Sequence, residues 1–317
     1  MAGISFADVL KAREVLRPLL PVTRLVAAPS LSRGDSKVFL KLESDLPTGS
    51  FKVRGALYAL SLAMQRGRVG EVIAHSTGNH GAAVAYAAKL FQLPARIFLP
   101  ENPNPVKRNN IARLGAQIVE RGRDSSEAFE HATEYARAEG VFFLNDATDP
   151  ELPAGPATIA CEVLEQLPET SAIFVPIGDT ALIRGVAAAA KHLSPSVRIV
   201  GVQAEQAPSY YLSWKEKRVV PTETCNTLAD GLATRTPDPQ NVAQIVELVD
   251  DVVTVSEQQM LDAIRHLLLE EHIVAEGAGA AATAAWIQRS QPARNTVLLM
   301  SGANASQAVL QQALSRG

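Results

Sequence analysis

The sequence predicts an α/β fold with mostly parallel sheets and flanking helices. Three observations carry this. Short apolar runs of strand length recur, Ala-rich amphipathic stretches of helical length separate them, and the alternation runs almost end to end. Ser5 to Asp8 has the pattern of a capping box, opening a helix to about Arg17. KVFLKLE at 37–43 reads as a strand. FKVRGALYALSLAMQRG gives a helix from about Phe51, stopped near Gly67. EVIAHS (71–76) is a strand and NHGAAVAYAAKLF (79–91) a helix. ARIFLP (95–100) is a strand, with a helix to Leu114 after it. AQIVE (116–120) is a strand, followed by a helix over 125–138. VFFLND, AIFVPI, VRIVGVQ, DDVVTVS and TVLLMS are further strand candidates, most followed by helical pattern. The Pro- and Asp-rich patch NDATDPELPAGP (145–156) is the best internal boundary. The apolar-poor segment 206–227 reads as an irregular surface excursion.

The chain has 317 residues, 47% hydrophobic and 20% charged, which suits a globular protein with room for two subdomains. A net charge of −3 gives no electrostatic case for nucleic acid or an anionic membrane. Cys161 and Cys225 are the only cysteines. They cannot build a disulfide framework and show no metal-ligand spacing, so a reducing cytoplasm is the expected location. The first twenty residues lack a basic region followed by an apolar core, and no apolar run is long enough to span a membrane.

Four stretches carry chemistry. In PTGSFKVRGA (47–56), Lys52 stands just inside a predicted helix start, at the unfavourable end of the helix dipole. Desolvation there would lower its pKa, as a Schiff-base lysine needs. An exposed surface lysine is the plain alternative. In HSTGNHGAAVAYAAK (75–89), a strand leads through a polar turn into a helix. Its free N–H groups, with Ser76, Thr77 and Asn79, suit a carboxylate, although a simple helix cap fits as well. His80 reads equally as a donor to a loop carbonyl. VPIGDTALIRG (175–185) has the strand, turn and helix of an anion loop, but with Asp179 and Thr180 where glycine is expected. In LLMSGANAS (298–306), Ser301 would project from the carboxyl edge of a sheet, where ligands of open α/β sheets lie.

In this order, the stretches resemble the fold-type II pyridoxal phosphate enzymes of the serine/threonine dehydratase and serine racemase family. LKLESDLPTGSFKVRGA is similar to that family's lysine motif, and STGNHG to its Ser-Ser-Gly-Asn-His-Gly loop. VPIGDTALIRG stands where the family has its tetraglycine loop. LADGLA (228–233), EGAGAA (276–281) and SGAN (301–304) match further motifs. The resemblance covers nearly the whole chain. It implies a two-lobed architecture like the tryptophan synthase β chain, with a mobile small lobe at 71–145 and a large lobe from 1–70 and 146–317. It implies that Lys52 carries the cofactor and moves protons at Cα, with Thr77 also catalytic. Phe51 would pack on the ring. Ser76, Thr77, Gly78, Asn79 and His80 would bind the substrate carboxylate, with Asn79 also near the ring hydroxyl. Gly178, Asp179, Thr180, Ala181 and Leu182 would receive the cofactor phosphate. Gly231 and Glu276 would lie around the cofactor, and Ser301 would meet the pyridine nitrogen. The implied activity is that of a dehydratase (ammonia-lyase), turning a β-hydroxy-α-amino acid such as L-threonine or L-serine into a 2-oxo acid and ammonia, by a homodimer.

Departures from the family pattern refine this. An inward Asp179 would set two anions together, unfavourable by roughly 4 kcal/mol at about 4 Å and an effective dielectric near 20. Its side chain is therefore expected to point away and cap the helix starting near Ala181, with Arg184 as partner; the alternative is a monoanionic phosphate hydrogen-bonded to a protonated Asp179. Thr180 would donate its hydroxyl to the phosphate. Glu205 matches one carboxylate of the racemases' divalent-ion site, but Tyr211 falls near the other, so no metal is expected. Thr77 replaces the serine that carries protons in racemases, which puts dehydratase ahead of racemase. GDTALIRG resembles a branch associated with hydroxyectoine breakdown. A 3-hydroxyaspartate-type substrate would need a distal cation, for which Arg235 is the candidate. A non-catalytic cofactor-binding protein is a further alternative. The chain ends soon after SGAN, which implies a catabolic enzyme without a C-terminal regulatory domain.

Overall fold

The computed structural model describes residues 3–67, 69–103, 105–289 and 294–315. Helix α1 (Phe6–Leu16) opens on a capping box in which Ser5 and Asp8 satisfy each other's backbone amides. There follow β1 (Leu25–Ala27), β2 (Lys37–Leu42), α2 (Lys52–Arg66), β3 (Glu71–His75) and α3 (Asn79–Leu90). Next come β4 (Ala95–Leu99), α4 (Pro105–Arg113), β5 (Gln117–Glu120), α5 (Ser125–Tyr135) and β6 (Val141–Phe143). The second half runs through α6 (Ala154–Gln166), β7 (Ala172–Pro176), α7 (Ala181–Leu193), β8 (Arg198–Ala204), α8 (Ser209–Glu216) and α9 (Pro239–Leu248). It closes with β9 (Asp251–Val255), α10 (Glu257–Leu269), α11 (Gly277–Ile287), β10 (Asn295–Met300) and α12 (Gln307–Leu314).

Two sheets result. One has the strand order β1-β2-β10-β7-β8-β9, parallel except for the short edge strand β1. The other, order β5-β4-β3-β6, is wholly parallel. The fold is thus the α/β, mostly parallel architecture expected. The central strand β7 is buried along its length, because helices cover both faces of its sheet. Helix α11 is Ala-rich and apolar all round, and it is buried accordingly. Among the described residues no helix is long and apolar enough to cross a membrane.

The structure corrects one local expectation. Segment 206–227 is not wholly irregular, because it contains α8. Its apolar content is concentrated in Tyr210, Tyr211 and Trp214, which a segment average dilutes. Tyr210 is buried and its hydroxyl accepts the Asp238 N–H at 3.1 Å, while Trp214 donates to the Val249 carbonyl at 3.3 Å.

Helix α2 is held by charges the sequence patterning did not reveal. Arg54, with a side chain 2% exposed, donates to both Glu43 oxygens at 2.7 and 3.0 Å and to both Glu162 oxygens at 2.6 and 3.0 Å. Buried Lys41 adds a 2.6 Å contact to Glu162. The cluster ties α2, and with it Lys52, to the residues after β2 and to α6. Buried charges are tolerated when every partner is matched, and removing one member strands the rest. Arg54→Met is therefore expected to lower stability by about 3–5 kcal/mol, measured as the shift in urea unfolding.

Candidate active site

The turn before α2 is stitched by backbone bonds to the end of β10. Phe51 N–H donates to the Ser301 carbonyl at 3.0 Å, and Ala303 N–H donates to the Gly49 carbonyl at 3.0 Å. Ser50 and Gly302 pair between them as an antiparallel bridge. Gly49 takes φ +66°, a left-handed conformation that glycine adopts without strain. Lys52 thereby enters a cavity of about 890 Å³ beside Ser301. Its amine is hydrogen-bonded to Asp146 and lies 5.3 Å from the Phe51 ring centroid.

The electrostatics of Lys52 differ from expectation. Burial does work to lower its pKa, but Asp146, Asp179 and Glu276 outweigh burial and hold it above the ordinary lysine value. Asp146 in turn is pushed up by burial, yet His80 and Lys52 bring it well below the usual carboxylate range. Sequence reading missed Asp146 altogether. It lies in the polar patch taken as a boundary, 94 residues from Lys52.

The second wall is the N-terminus of α3. Ser76, Thr77, Gly78, Asn79 and His80 all line the cavity. The Ser76 hydroxyl accepts the Gly78 N–H at 3.2 Å and shapes the turn. Asn79 donates to Glu276 at 2.7 Å and accepts from Asn304 at 2.7 Å, leaving one amide hydrogen for a ligand. His80 Nε2 faces the Leu144 carbonyl at 2.9 Å, so that nitrogen donates, and Nδ1 lies 3.5 Å from Asp146.

The third wall is the N-terminus of α7. Gly178, Asp179, Thr180, Ala181 and Leu182 line the cavity. A side chain at Gly178 would meet the Gly231 carbonyl oxygen at 2.1 Å, so only glycine lets the two loops approach. The amides in the first turn of α7 have no partners within the helix and are available to an anion. Asp179 does not cap α7, contrary to expectation. The cap position belongs to Thr180, with no side-chain capping bond. The Asp179 carboxylate accepts from Thr234 at 3.2 Å, and its titratable neighbours are Asp146, Lys52 and His80. Burial and the repulsion of Asp146 push its pKa up. Lys52 and Thr234 act in the opposite direction without outweighing them. The Arg184 Nε–H donates to the Thr180 hydroxyl at 3.0 Å, and not to Asp179. The Thr180 hydroxyl donates to the Asp179 carbonyl at 2.6 Å, so its hydrogen is not free for an anion.

Gly231, Glu276 and Ser301 also line the cavity. Arg235 is exposed and does not line it, so the distal cation suggested for an acidic substrate is not brought to the site. Glu205 is exposed, and among the described residues no group of three His, Cys, Asp or Glu is placed to hold a metal ion. The assembled site offers one amine, two helix N-termini and a neutral hydroxyl. It suits a ligand with a carbonyl carbon at Lys52 and an anionic group at α7, together with a carboxylate at α3.

The chain matches the family model described as pyridoxal-phosphate dependent enzyme over residues 16–302. It is 34% identical to the L-threonine ammonia-lyase of Thermotoga maritima over 316 residues, covering 99% of this chain and 79% of that protein. Among solved structures, the threonine deaminase of T.th. is 31% identical with a TM-score of 0.88, covering 96% of this chain and 99% of that one. Maize serine racemase is 28% identical with a TM-score of 0.91, covering 99% and 98%.

The raised Lys52 pKa has a kinetic consequence. The amine must be neutral to attack a carbonyl, so attachment of pyridoxal phosphate to the apo protein should accelerate as pH rises. Asp146→Asn removes one of the carboxylates that hold the proton on Lys52. The midpoint of the rate–pH profile, followed by stopped-flow absorbance, is expected to move down by about one unit or more.

Proposed function

This chain belongs to the family of pyridoxal-phosphate dependent enzymes, and from that premise we propose that it converts a β-hydroxy-α-amino acid such as L-threonine or L-serine to a 2-oxo acid and ammonia, by eliminating water and then taking up water at the resulting enamine. The observation that carries the proposal is the placement of Lys52 between two helix N-termini in one cavity, with Ser301 beside it. The site fits the cofactor on its own chemistry. Lys52 is the amine for its carbonyl carbon. The unpartnered amides of α7, approached closely at Gly178, suit its phosphate. Ser301 suits its ring nitrogen, and Phe51 its ring face.

Bound pyridoxal phosphate supplies the electron sink that makes the substrate Cα–H acidic and lets the β-substituent leave. The protein supplies the rest. The N-terminus of α3, with Ser76, Thr77 and Asn79, binds and orients the α-carboxylate. Lys52 takes the proton from Cα, and Asp146 is the hydrogen-bond partner that holds the amine when it is free. Water leaves from the β-carbon, and hydrolysis of the remaining enamine yields a 2-oxo acid and ammonia. Ser301 is neutral and does not keep the ring nitrogen protonated as a carboxylate would. Charge at Cα is then drawn off less deeply, which favours immediate loss of the hydroxyl over transamination. The sequence relatives support this reading, as the T. maritima protein is named an ammonia-lyase. The resemblance also supports closure of the 71–145 lobe over substrate and a cytoplasmic homodimer.

A panel of L-threonine, L-serine and other β-hydroxy amino acids, assayed for 2-oxo acid and ammonia, tests the proposal. Turnover of at least one is expected, with less D-serine than pyruvate from L-serine. Lys52→Ala should lose both turnover and the visible absorbance of the bound cofactor, a fall in rate of at least about 10³-fold. Release of D-serine without ammonia would replace the dehydratase with a racemase.

A further inference from the structure

Thr180 holds a conformation that its side chain opposes. Its φ is +68° and its ψ −11°, in the left-handed region that a β-branched residue rarely occupies. Arg184, one turn along α7, is 5% exposed and directs its Nε–H onto the Thr180 hydroxyl at 3.0 Å. That hydroxyl passes the bond on to the Asp179 carbonyl at 2.6 Å. Arg184 Nη1 reaches Gln244 at 3.3 Å, and its buried Nη2 has no acceptor among the described residues. A guanidinium this poorly satisfied is costly to bury, and burial pushes its pKa down. It does not line the cavity, so it does not touch a ligand there. Its one short contact is with the strained residue at the mouth of α7.

We propose that Arg184 is a positioning residue for the cofactor phosphate. It locks Thr180 in the left-handed conformation, so that the free amides at the start of α7 stay aimed into the cavity. A glycine at 180 would take the same φ without help. The pair Thr180–Arg184 thus replaces glycine's freedom with a side-chain clamp. The clamp rests on the reading of residues 178–182 as the phosphate cup.

The test measures equilibrium binding of pyridoxal phosphate, and of pyridoxal without its phosphate, to the apo protein by absorbance and fluorescence. Arg184→Gln is expected to weaken pyridoxal phosphate by about 10-fold or more and pyridoxal by less than about 3-fold. In a Thr180→Gly background, adding Arg184→Gln should change pyridoxal phosphate binding by less than about 3-fold, because no strain remains to be clamped. Thr180→Val keeps the branch and removes the hydroxyl, so it should behave like Arg184→Gln and serves if that variant does not fold. An unchanged affinity in Arg184→Gln or Thr180→Val, or an equal loss in both backgrounds, overturns the clamp. Equal wild-type affinity for pyridoxal and pyridoxal phosphate would instead overturn the phosphate-cup reading beneath it.

Discussion

The geometry of this site depends on a short backbone stitch between distant parts of the chain. Residues 49–51 and 301–303 exchange backbone bonds at 3.0 Å across a bridge between Ser50 and Gly302. Because these are main-chain groups, the stitch fixes where α2 begins regardless of side-chain rotamers. It places the lysine at the first position of α2 against the serine that follows β10. Buried backbone amides and carbonyls must be paired somewhere, and here pairing them also sets the catalytic address. The buried Arg54 cluster then locks the first turn of the same helix, two residues on, so Lys52 has little freedom beyond its own side chain.

The charges around Lys52 follow from that placement. An amine driven into a cleft loses hydration, and carboxylates from two other loops compensate. Asp146 comes from the loop after β6, and Asp179 from the loop after β7. His80 is the third neighbour, fixed by the Leu144 carbonyl. The resting arrangement is an ion-paired lysine that must give up Asp146 before it can react as a base or nucleophile. Across the cavity, a chain of hydrogen bonds runs from Glu276 through Asn79 and Asn304 to the Thr48 carbonyl. It couples the α3 turn to the stitched loops, so the carboxylate-binding wall and the lysine are positioned by one network.

Much of this was legible in the sequence, for identifiable reasons. The buried parallel strands read as apolar runs because helices cover both faces. The lysine, STGNHG and SGAN turns were visible because polar residues at strand ends stand out against those runs. Asp146 was hidden because its meaning arises only from a contact made across 94 residues, and locally NDATDP looks like linker. The cap role expected of Asp179 failed because Thr180, in a left-handed conformation, takes the cap position of α7, and the Arg184 expected beside Asp179 bonds Thr180. The actual partner of the carboxylate, Thr234, lies 55 residues away. Helix α8 was missed because a few aromatics do the packing for a polar segment. In each case a long-range contact outweighed the local pattern.

The Asp179–Thr180 departure now has a common cause on both sides of the loop. A left-handed residue at 180 gives α7 its cap position without a side-chain cap, so the Asp179 carboxylate is not used at the helix end. It accepts from Thr234 instead, while Arg184 donates to the threonine that carries φ +68°. A loop of four glycines would have no carboxylate at 179 and no strained residue for the guanidinium to hold. The three residues therefore act together. Thr180 sets the turn and Arg184 holds it, and Asp179, bonded to Thr234, adds to the negative charge that raises the Lys52 pKa.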